Sequence, residues 1–235
     1  MKDHPFQFFS APSRGLSLIL HILGTASFAY SFHFLYSWET PVAYSYGWYF
    51  QFLTILSLGA SAVAFAAGLL ADITSSRTLF SLKNAISTVA TPLECLITIL
   101  YWGLAAIDPT LVTPPEYIIP LDVDVSFHLA PAVFLVLDHL FFSPPWGTSG
   151  VVMALYSTFV GFSYWYWVEI CQSTNGFYIY PLFGLLSTEQ RVGLFVGSAL
   201  VSTILFLLIR SLHTKINGHV INIDWSAKNS MKKTS

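Results

Sequence analysis

Charge is what this sequence has least of. Asp, Glu, Lys and Arg make up 9 % of its 235 residues, against about 25 % in soluble domains, too few to solvate a globular surface of this size. The 10 Lys and Arg form no basic block able to follow a phosphate backbone, which argues against a nucleic-acid partner. Two cysteines, Cys95 and Cys171, cannot build a disulfide framework. There is no His-Glu-x-x-His, no Gly-x-Ser-x-Gly and no phosphate-cradling loop, so a zinc protease, an ordinary serine esterase and a nucleotide enzyme have no support. Internal repeats and Asn-x-Ser/Thr sequons are also missing. What is plentiful is apolar: 54 % hydrophobic and 17 % aromatic residues. That composition excludes a disordered chain and fits one whose solvent is largely lipid.

A helix needs roughly 20 mostly apolar residues to cross a bilayer. Six segments qualify as candidates: 16–37, 48–71, 84–107, 126–142, 148–171 and 190–212. The expected architecture is all-α: one six-helix transmembrane domain over residues 1–213, followed by a short polar tail, 214–235. The first segment is long enough to span and lacks a small-residue cleavage site, so it reads as an uncleaved helix. Six spans put both termini on one side. Nine basic residues then fall there (Lys2, Arg14, Arg77, Lys83, Arg210, Lys215, Lys228, Lys232 and Lys233), with Arg191 alone opposite. The bias predicts cytosolic termini. Lys232-Lys233, third and fourth from the end, look like a dilysine retrieval signal and point to the endoplasmic reticulum.

A polar side chain inside a span is costly and marks a candidate functional site. Gln51, Thr54, Ser57, Ser61 and Gly68 share one face of the second segment. This is the pattern of a helix-packing face and also a way to present a hydroxyl. His128 opens the fourth segment. It lies just outside the helix if Pro131 holds the first helical position, or on the same face as His139 if the helix starts earlier. On the predicted topology Thr54 and His128 occupy the same, non-cytosolic leaflet. A Thr hydroxyl becomes a nucleophile when a neighbouring base takes its proton, and a neutral imidazole is the usual base. Glu169, in that leaflet, is a candidate to orient the imidazole. Glu94, beside Pro92, reads as a proton-relay group or as a neutral carboxyl bonded between helices. Asp138 lies near the cytosolic end of its span. His21 and His33, twelve residues apart, have poor metal spacing. Tyr164-Trp165-Tyr166-Trp167 read as an interfacial aromatic belt or as the mouth of an acyl-chain pocket.

Three stretches occur in a family-like order. Gly47-Trp48-Tyr49-Phe50-Gln51-Phe52-Leu53-Thr54 resembles the Gly-x-x-Trp-Lys-Phe-Leu-Thr stretch of the androgen-induced gene 1 protein family. Phe127-His128-Leu129-Ala130-Pro131 resembles its histidine segment, opening an apolar helix that reaches Asp138. Gly176-Phe177-Tyr178-Ile179-Tyr180-Pro181 is similar to its Gly-x-Trp-x-Tyr-Pro. The resemblance covers about residues 44–213. It implies a threonine hydrolase of fatty acid esters of hydroxy fatty acids, with the nucleophile on Thr54 and the essential histidine on His128. Its partners would be the lipid bilayer and a branched fatty acid ester, with no metal or organic cofactor. The sequence departs from the family at Tyr49–Gln51, which replace a basic residue. It also departs at Asp124-Val125, where an Asn-His pair is usual, and in a longer loop before Gly176. A small multi-pass transporter using Glu94, Glu169 and Asp138, and a non-enzymatic lipid-binding protein, are the alternative readings.

Overall fold

A computed structural model describes residues 15–113, 117 and 119–217. The dilysine tail lies outside them. Every regular element among the described residues is helical. The α-helices are α1 (Leu16–Ser37), α2 (Leu53–Thr74), α3 (Arg77–Ile107), α4 (Leu121–His128), α5 (Ala130–Phe142), α6 (Gly150–Asn175), α7 (Pro181–Leu185) and α8 (Thr188–Asn217). Four of them, α1, α2, α3 and α8, are long and apolar enough to cross a membrane, and α4 with α5 make a fifth if the bent pair counts as one span. The fifth expected span, 148–171, forms α6. It has the length, but its Tyr, Trp, Glu and Gln content holds its hydropathy below that of the other four.

The differences from expectation have local causes. The second span begins at Leu53 because residues Trp48–Gln51 form a 3-10 turn and Phe52 is extended. The fourth is broken at Leu129, with the two halves inclined by 42°. Pro131 has no N–H to donate to the Phe127 carbonyl one turn back, so the ladder stops there. His128 is therefore the last residue of α4, not a residue ahead of a helix. α8 continues through Asn217, past the boundary expected at 213. α3 starts seven residues early, at Arg77, capped by the Ser76 hydroxyl accepting from the Leu79 amide.

That early start moves Lys83 from an expected loop into the protein. Lys83 and Asp138 are both 0 % exposed, and the ammonium donates to both Asp138 oxygens, at 2.9 and 2.7 Å, and to Ser143 Oγ at 2.8 Å. His21 approaches Asp138 at 3.1 Å with Nε2 and Asp72 at 2.7 Å with Nδ1. One buried polar knot thus ties α1, α2, α3 and α5 together. Gly68 makes room for it: a Cβ there would lie 2.6 Å from His21 Nε2. Above the knot, Phe28, Phe65 and Phe134 pack edge to face, and this aromatic core carries the close approach of α1, α2 and α5.

α6 and α8 form a separate antiparallel pair. Gly150 faces Leu207, Ser157 bonds Ser202 at 3.2 Å, Trp165 stacks on Phe195 and Glu169 pairs with Arg191. α3 packs against both this pair and the α1–α2–α5 group. The space between α3 and the α6–α8 pair is where the candidate site lies.

Candidate active site

Thr54 is the second residue of α2 and is buried. The chain leading to it is held at almost every turn. Gly47 adopts φ 88°, a conformation that suits glycine, and a Cβ there would lie 2.9 Å from Cys171 Sγ. The Gln51 amide donates to Ser45 Oγ at 2.7 Å and accepts from Asn175 Nδ2 at 3.1 Å. Trp167 Nε1 donates to the Phe50 carbonyl and the Tyr164 hydroxyl to the Gln51 carbonyl. Tyr49 stacks on Trp38 and donates to its carbonyl. Gln51 therefore works as an amide clamp between the Thr54 loop and α6.

The first amides of a helix have no intrahelical acceptor. At α2 these are Leu53 and Thr54, with no side-chain cap. The Tyr180 hydroxyl faces the Thr54 side chain and these two amides. Burial raises the Tyr180 phenol above its ordinary value against the opposing pull of Thr54 and Leu53, so it stays protonated at neutral pH.

His128 is also buried. Its ring stacks flat on Tyr101, with centroids 3.4 Å apart and planes within 3°. Its Nδ1 sits 2.7 Å from Asp124 Oδ1 and 3.2 Å from the Asp124 carbonyl, one helical turn back. With Nδ1 as the donor, Nε2 is left as the acceptor, the tautomer a general base needs. The Tyr101 hydroxyl faces Asp124 and Thr113, so the ring that backs the imidazole also reaches its carboxylate.

Thr54 and His128 line one small cavity of about 40 Å³, together with Tyr101 and Tyr180. No hydrogen bond joins Thr54 directly to His128. Thr54, Tyr101, Val112 and Tyr180 also line a larger apolar cavity of about 130 Å³ between α3, α6 and α8. Thr54 thus stands in the wall common to the two.

The other candidates are elsewhere. Glu169 accepts from Trp165 Nε1 at 2.8 Å, from Arg191 at 2.9 Å and from Tyr178 at 3.0 Å. It pins the 176–187 segment to α6 and does not touch His128; Asp124 holds the position expected of it. The i, i+4 spacing of Asp124 and His128 was the available signal, usable once the helix is known to begin at 121. Glu94 accepts from Ser61 at 2.9 Å between α2 and α3. His139 stacks on Trp146 and His213, far from the face predicted to join it to His128. His33 is exposed on α1. Among the described residues, no group of three or more His, Cys, Asp or Glu is placed to hold a metal ion.

Comparison with known proteins bears on what such a site belongs to. The family model described as FAR-17a/AIG1-like protein matches residues 16–214. The chain belongs to the FAR-17a/AIG1-like family. A UPF0641 membrane protein of Schizosaccharomyces pombe is 35 % identical over 205 residues, which cover 86 % of this chain and 92 % of that protein. No solved structure matches. With its apolar helices and this relative, the chain is a membrane protein of the FAR-17a/AIG1-like family. The match encloses Thr54, His128 and Tyr180 alike.

Proposed function

We propose that this protein is a membrane-embedded hydrolase that cleaves fatty acid esters of hydroxy fatty acids, with Thr54 as nucleophile and His128 as base. The observation that carries the reading is that Thr54 and His128 open onto the same cavity, while Asp124 fixes the imidazole with its free nitrogen available. Asp124 is the positioning residue. It keeps Nδ1 protonated and stabilises the imidazolium that forms when Nε2 takes a proton.

In the first step the Thr54 Oγ–H proton passes to His128 as Oγ bonds the ester carbonyl carbon. We assign the developing oxyanion to the Tyr180 hydroxyl and to the Leu53 and Thr54 amides at the start of α2, which turn to it from the Tyr180 oxygen. Collapse breaks the bond to the alcohol oxygen, which takes the proton from His128. Water then attacks the acyl-threonine with His128 again as base. The apolar surroundings suit a substrate whose chains stay in lipid-like space while its ester lies near the headgroups.

The topology that goes with this reading is a single unit of six spans over residues 1–213, α6 included, with both termini cytosolic and residence in the endoplasmic reticulum. Lys83 leaves the count of loop cations, so eight basic residues oppose Arg191, which is still a strong bias.

The test is labelling by a fluorophosphonate probe together with hydrolysis of a branched fatty acid ester by the purified full-length protein. Thr54→Ala should abolish both, and His128→Ala should abolish hydrolysis. Labelling that survives Thr54→Ala overturns the assignment. A substrate-dependent flux that survives it would favour a transporter instead.

A further inference from the structure

His128 lines the small cavity and not the large one, whereas Thr54 faces both. This asymmetry orders the substrate. The alcohol oxygen must receive its proton from His128 as the ester breaks, so the alcohol half has to lie on the His128 side. The acyl half is then directed to the other side of Thr54. We propose that the large chamber between α3, α6 and α8 is the acyl-chain site, and that its depth along α6 measures the acyl chain of the ester. The proposal rests on the hydrolase reading and adds to it which half of the ester lies where and what limits its length.

The chamber has the build of a chain site. Its mouth is at Thr54 and Tyr164, and its floor is formed by Met153 and the Ser157–Ser202 pair. From Tyr164 to Met153 is eleven residues of α6, about 16 Å at 1.5 Å per residue. An extended chain advances about 1.3 Å per carbon given bonds of about 1.5 Å, so the length spans roughly a dozen carbons, of which the present volume of about 130 Å³ seats about half before the lining side chains move. The lumen exists because the α6–α8 seam is made of small residues here: Gly161, Ser157, Ser198, Ala199 and Ser202. Gly161 is one turn below the mouth, and a Cβ there finds its nearest neighbour at 3.8 Å, an ordinary contact with Phe195. Gly161 also lines the lumen, so a larger side chain has the chamber to extend into beyond its contact with Phe195.

During acylation the Thr54 Oγ–acyl bond forms and the acyl–alcohol bond breaks. The alcohol departs on the His128 side with the proton, and the acyl chain stays in the chamber, attached to Thr54. Water entering where the alcohol left adds to the acyl carbon as its proton passes to His128; the bond from that carbon to Thr54 Oγ then breaks, Oγ takes the proton back from His128, and the fatty acid leaves.

The experiment uses purified full-length wild type, Gly161→Leu and Ser157→Leu. Each is assayed on two ester series: butyryl, octanoyl, dodecanoyl and palmitoyl esters of one hydroxy fatty acid, and one acyl group on hydroxy acids of graded length. Gly161→Leu blocks the chamber about one turn below the mouth and Ser157→Leu about two turns below. Gly161→Leu should keep the butyryl ester and lose about tenfold or more in kcat/KM on all longer acyl groups. Ser157→Leu should keep butyryl and octanoyl and lose the longer two. Neither should change the ranking in the alcohol series. A shift in the alcohol series, or an equal loss on every ester, overturns the assignment. If wild type cleaves no ester, the hydrolase reading fails by itself. Displacement of a fluorescent saturated fatty acid by unlabelled acids of graded length then decides the chamber. Length-graded affinity shortened by Gly161→Leu supports it, and affinities unchanged by the substitution overturn it.

Discussion

Lys83→Met tests the frame on which the site is hung. Lys83 gives three hydrogen bonds, two to Asp138 and one to Ser143, in surroundings where both ion-pair partners are 0 % exposed. Met keeps much of the stem volume and removes the ammonium. Asp138 is then left with His21 and the Ser143 hydroxyl as partners, and a buried carboxylate has lost its main counter-charge. Breaking a buried ion pair from one side costs about 3–5 kcal/mol, most of it from the stranded charge. For a chain of this size that is roughly 6–20 °C of melting temperature, measurable on the full-length protein in detergent. The reciprocal change, Asp138→Leu, strands the ammonium and should cost a similar amount. The double variant Lys83→Met/Asp138→Leu leaves neither member of the ion pair behind, costs only the bonds from His21 and the Ser143 hydroxyl to Asp138, and should regain most of the loss. At temperatures below its transition, Lys83→Met should leave the proposed ester hydrolysis unchanged, because the knot is remote from Thr54. A Lys83→Met melting temperature within a degree or two of wild type would refute the reasoning. So would a double variant less stable than either single.

Asp124→Asn should lower kcat by about 10²- to 10⁴-fold with little change in KM, because the amide no longer holds the Nδ1 proton in place; steady-state kinetics of purified protein checks this, and a proportional fall in folded protein instead would make Asp124 merely structural. Tyr180→Phe removes one donor facing Thr54 and should cost about 10²-fold in kcat, while Thr54 still labels with the fluorophosphonate, more slowly; unchanged turnover would remove Tyr180 from the oxyanion site.

How much of this was legible in the sequence depends on the range of the contacts that decide it. The length of the apolar runs located a helix at each of the six segments, and the packing face Gln51, Thr54, Ser57, Ser61 is buried as its spacing implies. These are local signals, and lipid imposes them strongly because every span must be helical. The errors lie where a distant partner overrides local polarity. Lys83 looks like the start of a loop because a lone cation is too costly inside a span, and it is inside because Asp138, fifty-five residues on, neutralises it. Pro131 suggested the start of a helix. It is also the reason a preceding short helix ends, and that helix supplies both Asp124 and His128. Glu169 was a reasonable third member by depth alone, yet depth does not fix azimuth: Arg191 and Tyr178 hold it on the α8 side. Asp124 needed only the i, i+4 relation, hidden by a helix start placed five residues late. The Tyr101 ring had no signal at all, since its stacking on His128 depends on α3 crossing α4. The two chemical groups proposed to react were singled out by the family resemblance of their flanking residues, whereas the groups that aim them come from the packing of separate helices. The substitutions that separate chemistry from fold therefore fall on Asp124 and Tyr180 more than on Thr54, because removing the proposed nucleophile would end hydrolysis without revealing how it is aimed.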